Sequence, residues 1–134
     1  MGALDALRRR QHGLQVGVTN EQARRGEEVD ALVTISGQDE VGEVEVGLVC
    51  TEYYDVYESW GQHGSRETSD AIAHEEWLPV ESAPGVHSVR LTIPLDAPFS
   101  YEGDCLSFRW EVVARGRREH RLDAQAKHDL FVAP

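Results

Sequence analysis

Lysine is almost missing from this chain: of 13 basic residues only Lys127 is a lysine, against 24 acidic ones, for a formal net charge of −11. Non-specific binding to nucleic acid or to an anionic membrane needs an excess of positive charge to neutralise phosphates, so this balance speaks against both kinds of partner. The surplus of carboxylates is explained by solubility through self-repulsion. Long apolar runs are missing as well. No stretch approaches the ~20 apolar residues that cross a bilayer, and Met1 to Gln11 is too polar for the apolar region of a signal peptide. The sequence therefore predicts no membrane span and a cytoplasmic protein. Cysteine is scarce. Cys50 and Cys105, with Trp60 after the first, imitate the spacing of an immunoglobulin bridge, but alternation sets Cys50 inward with Val44, Val46 and Leu48, and Cys105 outward with Ser107 and Arg109. Two free thiols are expected.

Helical periodicity is the last absence. Nowhere do apolar residues recur at helical spacing across a window of about ten residues; period two holds almost throughout. Leu14, Val16 and Val18 open the series, followed by Val29, Ala31, Val33 and Ile35. Val44, Val46, Leu48 and Cys50 begin a long strand that runs on through Tyr53, Tyr54, Val56 and Tyr57. The polar, Gly-containing stretch Trp60 to Ser69 reads as a broad hairpin tip, with Ile72 to Val80 returning. A Pro-Gly turn at Ser82 to Gly85 leads to Val89, Leu91 and Ile93, which Pro94 ends. Leu95 to Asp104 forms a loop, and Leu106, Phe108, Trp110 and Val112 make the clearest core strand. A turn is expected at Arg115 to His120. A last strand follows with Leu122, Ala124, Ala126, His128, Leu130 and Val132 in one inward phase, ending at Phe131 and Val132.

A chain of 134 residues has the usual length of one domain with one core. About seven or eight short-linked strands predict an all-β fold, an antiparallel immunoglobulin-like sandwich over residues 14–134. Residues 1–13 read as a short helix or a loose arm.

Two segments carry a family resemblance. The run RLTIPLDAPFSYEGDCLSFRWEVVARGRREHRLDAQAKHDLFV, from Arg90 to Val132, holds Pro94, Pro98, Phe99, Ser100, Gly103, Phe108, Trp110, Phe131 and Val132 in the order of a strand ending in Pro, a Pro- and Ser-containing loop with an aromatic and a Gly, a strand with a central aromatic, and a closing Phe-x-Val. Earlier, GEEVDALVTI from Gly26 to Ile35 and EVEVGLVCTEYY supply an opening and a third strand. Together these resemble the arrestin-type domain, its bacterial sporulation-control members being the nearest comparison. The resemblance implies an arrestin-type sandwich and a non-enzymatic role in protein–protein interaction or scaffolding. Most arrestin proteins carry two such sandwiches, whereas one is expected in these 134 residues. Phosphate sensing in the receptor-binding members relies on lysines near the first strand; LQVGV has none, so no phosphate-binding residue carries over.

The polar residues offer few patterns that carry chemistry. His63, His74, His87 and His120 lack the two-apart spacing that places metal ligands on one strand face, so no metal and no other cofactor is expected. His128, on an inward phase, reads as a hydrogen-bonded core histidine. Asp39, Glu40, Glu43 and Glu45 lack calcium-loop spacing and read as a solvated face. No nucleophile-elbow, phosphate-loop or zincin motif occurs, and the chain is expected not to be an enzyme. Two groups remain as binding candidates. Tyr53, Tyr54, Tyr57, Trp60 and Trp77 are more aromatics than one face of a hairpin buries, and surplus aromatics anchor interfaces. Arg115, Arg117, Arg118 and Arg121 oppose the chain's overall sign and suit the carboxylates or phosphates of a partner. The first expectation is a protein-interaction module, able to form a homodimer, that uses a sheet edge or the hairpin face. The alternative is a binding or accessory domain for a small polar ligand around Trp60 and Trp77.

Overall fold

In the computed structural model, which describes residues 13–37, 41–58, 65–118 and 122–134 and gives the backbone alone at 57, 58, 65 and 66, period-two alternation becomes nine strands. They are β1 (Leu14–Val18), β2 (Gln22–Arg24), β3 (Glu28–Ile35), β4 (Gly42–Glu58), β5 (Ser65–Val80), β6 (Gly85–Thr92), β7 (Tyr101–Glu102), β8 (Leu106–Arg117) and β9 (Ala124–Ala133). Two sheets stack into a β-sandwich. The smaller has the order β1-β3-β6; the larger runs β2-β9-β8-β4-β5, with β7 pairing the end of β8.

Side chains of one phase from each sheet meet between the layers. Val29, Ala31, Val33 and Ile35 of β3 face Val44, Val46, Leu48 and Cys50 of β4, Val112 and Ala114 of β8, and Leu130 and Val132 of β9 in a single buried cluster. Trp110 is its largest fully buried member; its indole N–H donates to the carbonyl of Pro98 at 2.9 Å, which ties the loop before β7 to the core. That bond lets an indole be buried without an unpaired donor. At the other end, Gly26 turns the chain into β3 at φ 85°, where a Cβ would stand 2.6 Å from the side chain of Leu95. Its amide donates to Ile93 at 2.7 Å, which links the two segments.

Several expectations need correction. Strand β8 continues to Arg117, so Arg115 and Arg117 lie on a strand and not in a turn; their pairing with Glu45 and Gly42 on β4 carries the ladder onward. The return strand begins at Ser65, well before Ile72. The strand order is not purely antiparallel, because β2, a three-residue strand with no alternation long enough to signal it, pairs β9 in parallel from Gln22–Phe131 to Arg24–Ala133. Leu122 is 87% exposed and precedes β9 without joining it, and Phe131 points outward while Val132 is fully buried. His128 is no core histidine: its side chain is 31% exposed and lies 3.2 Å from the carboxylate of Glu21, at the lip where the chain enters β2. The expected arm at residues 1–13 lies, apart from Gly13, outside the described residues.

The thiols follow alternation. Cys50 is fully buried and Cys105 exposed, both free. Loss of hydration, aided by the neighbouring charge of Glu52, pushes the Cys50 thiol up to about 11 from its ordinary 9.0. Iodoacetamide at pH 8 is expected to label Cys105 alone, with Cys50 reacting only once denaturant is added; mass spectrometry of the labelled chain checks this. Because the folded thiol holds its proton to higher pH than the unfolded one, its contribution is complete below pH 9 and is lost as pH rises toward 11.

Candidate interaction surface

The outer face of the larger sheet brings the aromatic and arginine groups together. Strands β4, β5 and β8 place Glu45 opposite Arg115 and Gly47 opposite both Trp77 and Val113. The absence of a side chain at Gly47 makes room for the indole of Trp77, since a Cβ there would stand 2.5 Å from the ring. On the opposite ring face lies the guanidinium of Arg115, 3.7 Å from the ring centroid, its Nε donating to the carboxylate of Glu45. The indole N–H donates to Glu75 at 2.7 Å. Trp77 is thus packed on both faces and bonded at its edge. Beside it, Val49 and Val113 are buried on the outward side of the sheet, separate from the central core.

A second aromatic–arginine contact lies further along the same face. Arg109 of β8 sits 5.2 Å from the ring centroid of Tyr53 and donates to Glu102 of β7 at 2.9 Å. The hydrogen bond and charge of Glu102 raise the Arg109 guanidinium above its ordinary value, so it stays charged at any working pH. Tyr54, one residue on, pairs with Ser69 and Leu106 and belongs to the other face. Arg117 reaches Glu43 at 3.8 Å, and the Nε of Arg118 donates to the carbonyl of Leu122 at 2.8 Å. Trp60 and Arg121 lie outside the described residues, and of Tyr57 only the backbone, opposite Arg66, is described. Arg109 was not singled out as a binding candidate, although the phase it shares with Arg115 on one strand signals it.

Two open concavities flank this face. One, about 650 Å³, is bordered by Glu43, Glu45, Trp77, Pro79, Arg115 and Arg117. The other, about 640 Å³, lies between β7 and β9 beside Glu21, Tyr101, Glu102, Arg109, Asp129 and Phe131. No group of three or more His, Cys, Asp and Glu side chains placed to hold a metal exists among the described residues.

Among the described residues, the longest strand with an unpaired side is β5. It forms one margin of the larger sheet, pairs with β4 along its whole length, and has no strand on its other side among the described residues. A bulge divides it: Thr51 faces Ile72 and Cys50 faces His74, so Ala73 has no opposite residue. Bulges of this kind increase local twist and interrupt edge pairing. From Glu67 to Val80 the strand carries Glu67, Asp70, Glu75 and Glu76 and no lysine or arginine. Asp70 and Ile72 share the outer face with Tyr53 and Thr51, and Ile72 is 55% exposed.

No helix among the described residues is long and apolar enough to cross a membrane. No protein-family model matches the chain, and no curated protein matches it. Among solved structures, a superoxide reductase (neelaredoxin) E23A from Ignicoccus hospitalis aligns with a TM-score of 0.42 at 9% identity, over 96% of this chain and 87% of that one. A β-glucosidase, EmGH1 from Erythrobacter marinus, aligns at 0.35 and 16% identity over 90% of this chain and 15% of that one. Neither is similar enough to carry an argument. The sporulation control protein Spo0M from Bacillus subtilis aligns with a TM-score of 0.57 at 17% identity, over 90% of this chain and 49% of that one. The chain therefore shares a fold with Spo0M and spans about half the length of that protein.

Proposed function

We propose that this chain is a non-enzymatic, arrestin-like protein-interaction module with a regulatory role, and that it engages its partner through the free margin of β5. The observation that carries this reading is a sixteen-residue strand that, among the described residues, is paired on one side only. An unpaired margin presents a row of N–H and C=O groups that an extended segment of another protein can join, with side-chain specificity supplied by alternate positions. The arrestin-like part is supported by the fold shared with Spo0M, a sporulation control protein, and by the motif order from Pro94 to Val132. Trp77 weighs against the small-ligand alternative. A ligand that stacked on its indole would have to displace either the sheet at Gly47 or the guanidinium of Arg115.

The test joins capture from native lysate, light scattering of the pure chain and hydrogen exchange. A retained partner, or a second copy, is expected to slow exchange of the outward amides of β5 and to leave those of β6, the margin of the smaller sheet, unchanged. A monomer that retains no protein, or protection confined to β6 or β1, sinks the reading.

A further inference from the structure

Several acidic side chains on the other strands are matched within the fold, although Glu52, Glu111 and Asp129 form no ion pair among the described residues. Arg90 lies 3.2 Å from Asp30 and 3.4 Å from Glu28, Arg109 holds Glu102, Arg115 holds Glu45 and Arg117 reaches Glu43. On β5 the exposed Glu67, Asp70 and Glu76 form no ion pair among the described residues, Arg66 next to Glu67 being described by its backbone alone, and Glu75 is met by the Trp77 indole. Among the described residues, three carboxylates without an ion pair thus lie along a strand whose outward hydrogen-bonding groups also lack a partner strand. Repulsion alone makes this a guarded margin against self-pairing, because a second copy laid along it would set like charges against one another. The same charges attract a strand of opposite sign.

We propose that the margin of β5 from Glu67 to Ile72 takes an extended, positively charged segment of a partner protein, which adds to the larger sheet as an antiparallel strand. This rests on the reading of the chain as an edge-pairing module and names the chemistry of its partner. The stretch is bounded by the bulge at Ala73, beyond which Pro79 has no amide hydrogen to offer. Register then sets a pattern. Ile72 and Asp70 share one face and Glu67 lies on the other. An incoming antiparallel strand therefore meets Ile72 with an apolar residue, Asp70 with Arg or Lys two positions later, and Glu67 with Arg or Lys three positions after that. Arginine is favoured at both, since its planar fork holds a carboxylate with two hydrogen bonds.

Fluorescence anisotropy with a labelled peptide of about eight residues carrying Val, Arg and Arg in that spacing tests the proposal, with Gln and Glu replacing both arginines in two control peptides. The basic peptide is expected to bind and slow the amides of β5. Its affinity is expected to fall at least about tenfold in the Glu67→Lys, Asp70→Lys double variant, and to fall with added salt. Because both positions are exposed, the fold should survive; should it not, the Glu67→Gln, Asp70→Gln variant is expected to lose affinity in the same direction. Equal binding of the Gln peptide at β5, or no response to either variant, overturns the charge selection and leaves edge pairing standing. If none of the peptides protects β5, both readings fall. Slowed β5 amides in the pure chain, with a doubled mass by light scattering, would identify the occupant as a second copy and also overturn the proposal.

Discussion

Trp110→Ala is expected to destabilise the domain by about 3–5 kcal/mol, the range for truncating a large aromatic in a core. The residue is 1% exposed, sits between Cys50 and Leu130 in the middle of the larger sheet, and fills the space beneath the loop that Pro98 and Ser100 anchor. Removing the indole leaves a cavity that β3 and β8 cannot close, since both are fixed by their ladders. It also leaves the Pro98 carbonyl without its donor. For a domain of this size the midpoint of thermal unfolding is expected to fall by roughly 10–20 °C. Trp110→Phe separates the two effects: it retains most of the volume but not the N–H, and is expected to cost about 1–3 kcal/mol. Urea unfolding followed by circular dichroism measures both. A loss below about 1 kcal/mol for the alanine variant would mean that the core is not centred on this side chain.

A single methyl group at Gly47 is expected to produce the second large effect, and its sign is the informative part. In a strand interior, glycine is ordinarily the weaker residue, so alanine in its place should be neutral or stabilising. Here the new Cβ would overlap the rigid indole of Trp77, 2.5 Å away. The ring cannot retreat, because Arg115 covers its other face and is itself held by Glu45. Gly47→Ala is therefore expected to cost about 1–3 kcal/mol, as overpacking does. It is also expected to expel the indole into water, seen as a red shift in tryptophan emission. The Gly47→Ala, Trp77→Ala double variant should recover most of the loss, since the clash has then gone. Stabilisation by Gly47→Ala alone would show that the indole does not lie against the strand.

Period-two alternation made most of this fold legible in advance, because one face of each sheet is buried and a buried face fixes phase. The inward set of β4, the central position of Trp110 and the opposite fates of Cys50 and Cys105 all follow from that rule. It fails where alternation is too short or where burial stops. Strands β2 and β7 have three and two residues and offer no period to read. His128 and Leu122 keep the inward phase, yet one lies at the lip of the sandwich and the other beyond it, and phase carries no information about where a covering layer ends. The run from Arg115 to His120 suggested a turn by composition, whereas Arg115 and Arg117 instead extend β8 with their charges aimed at Glu45 and Glu43. At the candidate surface, the aromatic and arginine groups were each visible, but their meeting over Gly47 depends on cross-strand register, which one sequence does not specify. The unpaired margin of β5 depends on strand order and was equally out of reach.

The parallel contact between β2 and β9 bears on how the chain reaches this state during synthesis. Glu21 and His128 meet across 107 positions of sequence, and the amide of Phe131 donates to the carbonyl of Glu21 at 2.9 Å. The last of the described strands, β9, is an interior one, flanked by β8 on one side and β2 on the other. A nascent chain that still holds residues 124–133 inside the ribosome tunnel cannot complete the larger sheet, however long its earlier strands have been free. Early strands must wait in the open with apolar faces uncovered, a span in which chaperones have most to do and in which slow closure of distant pairs sets the pace.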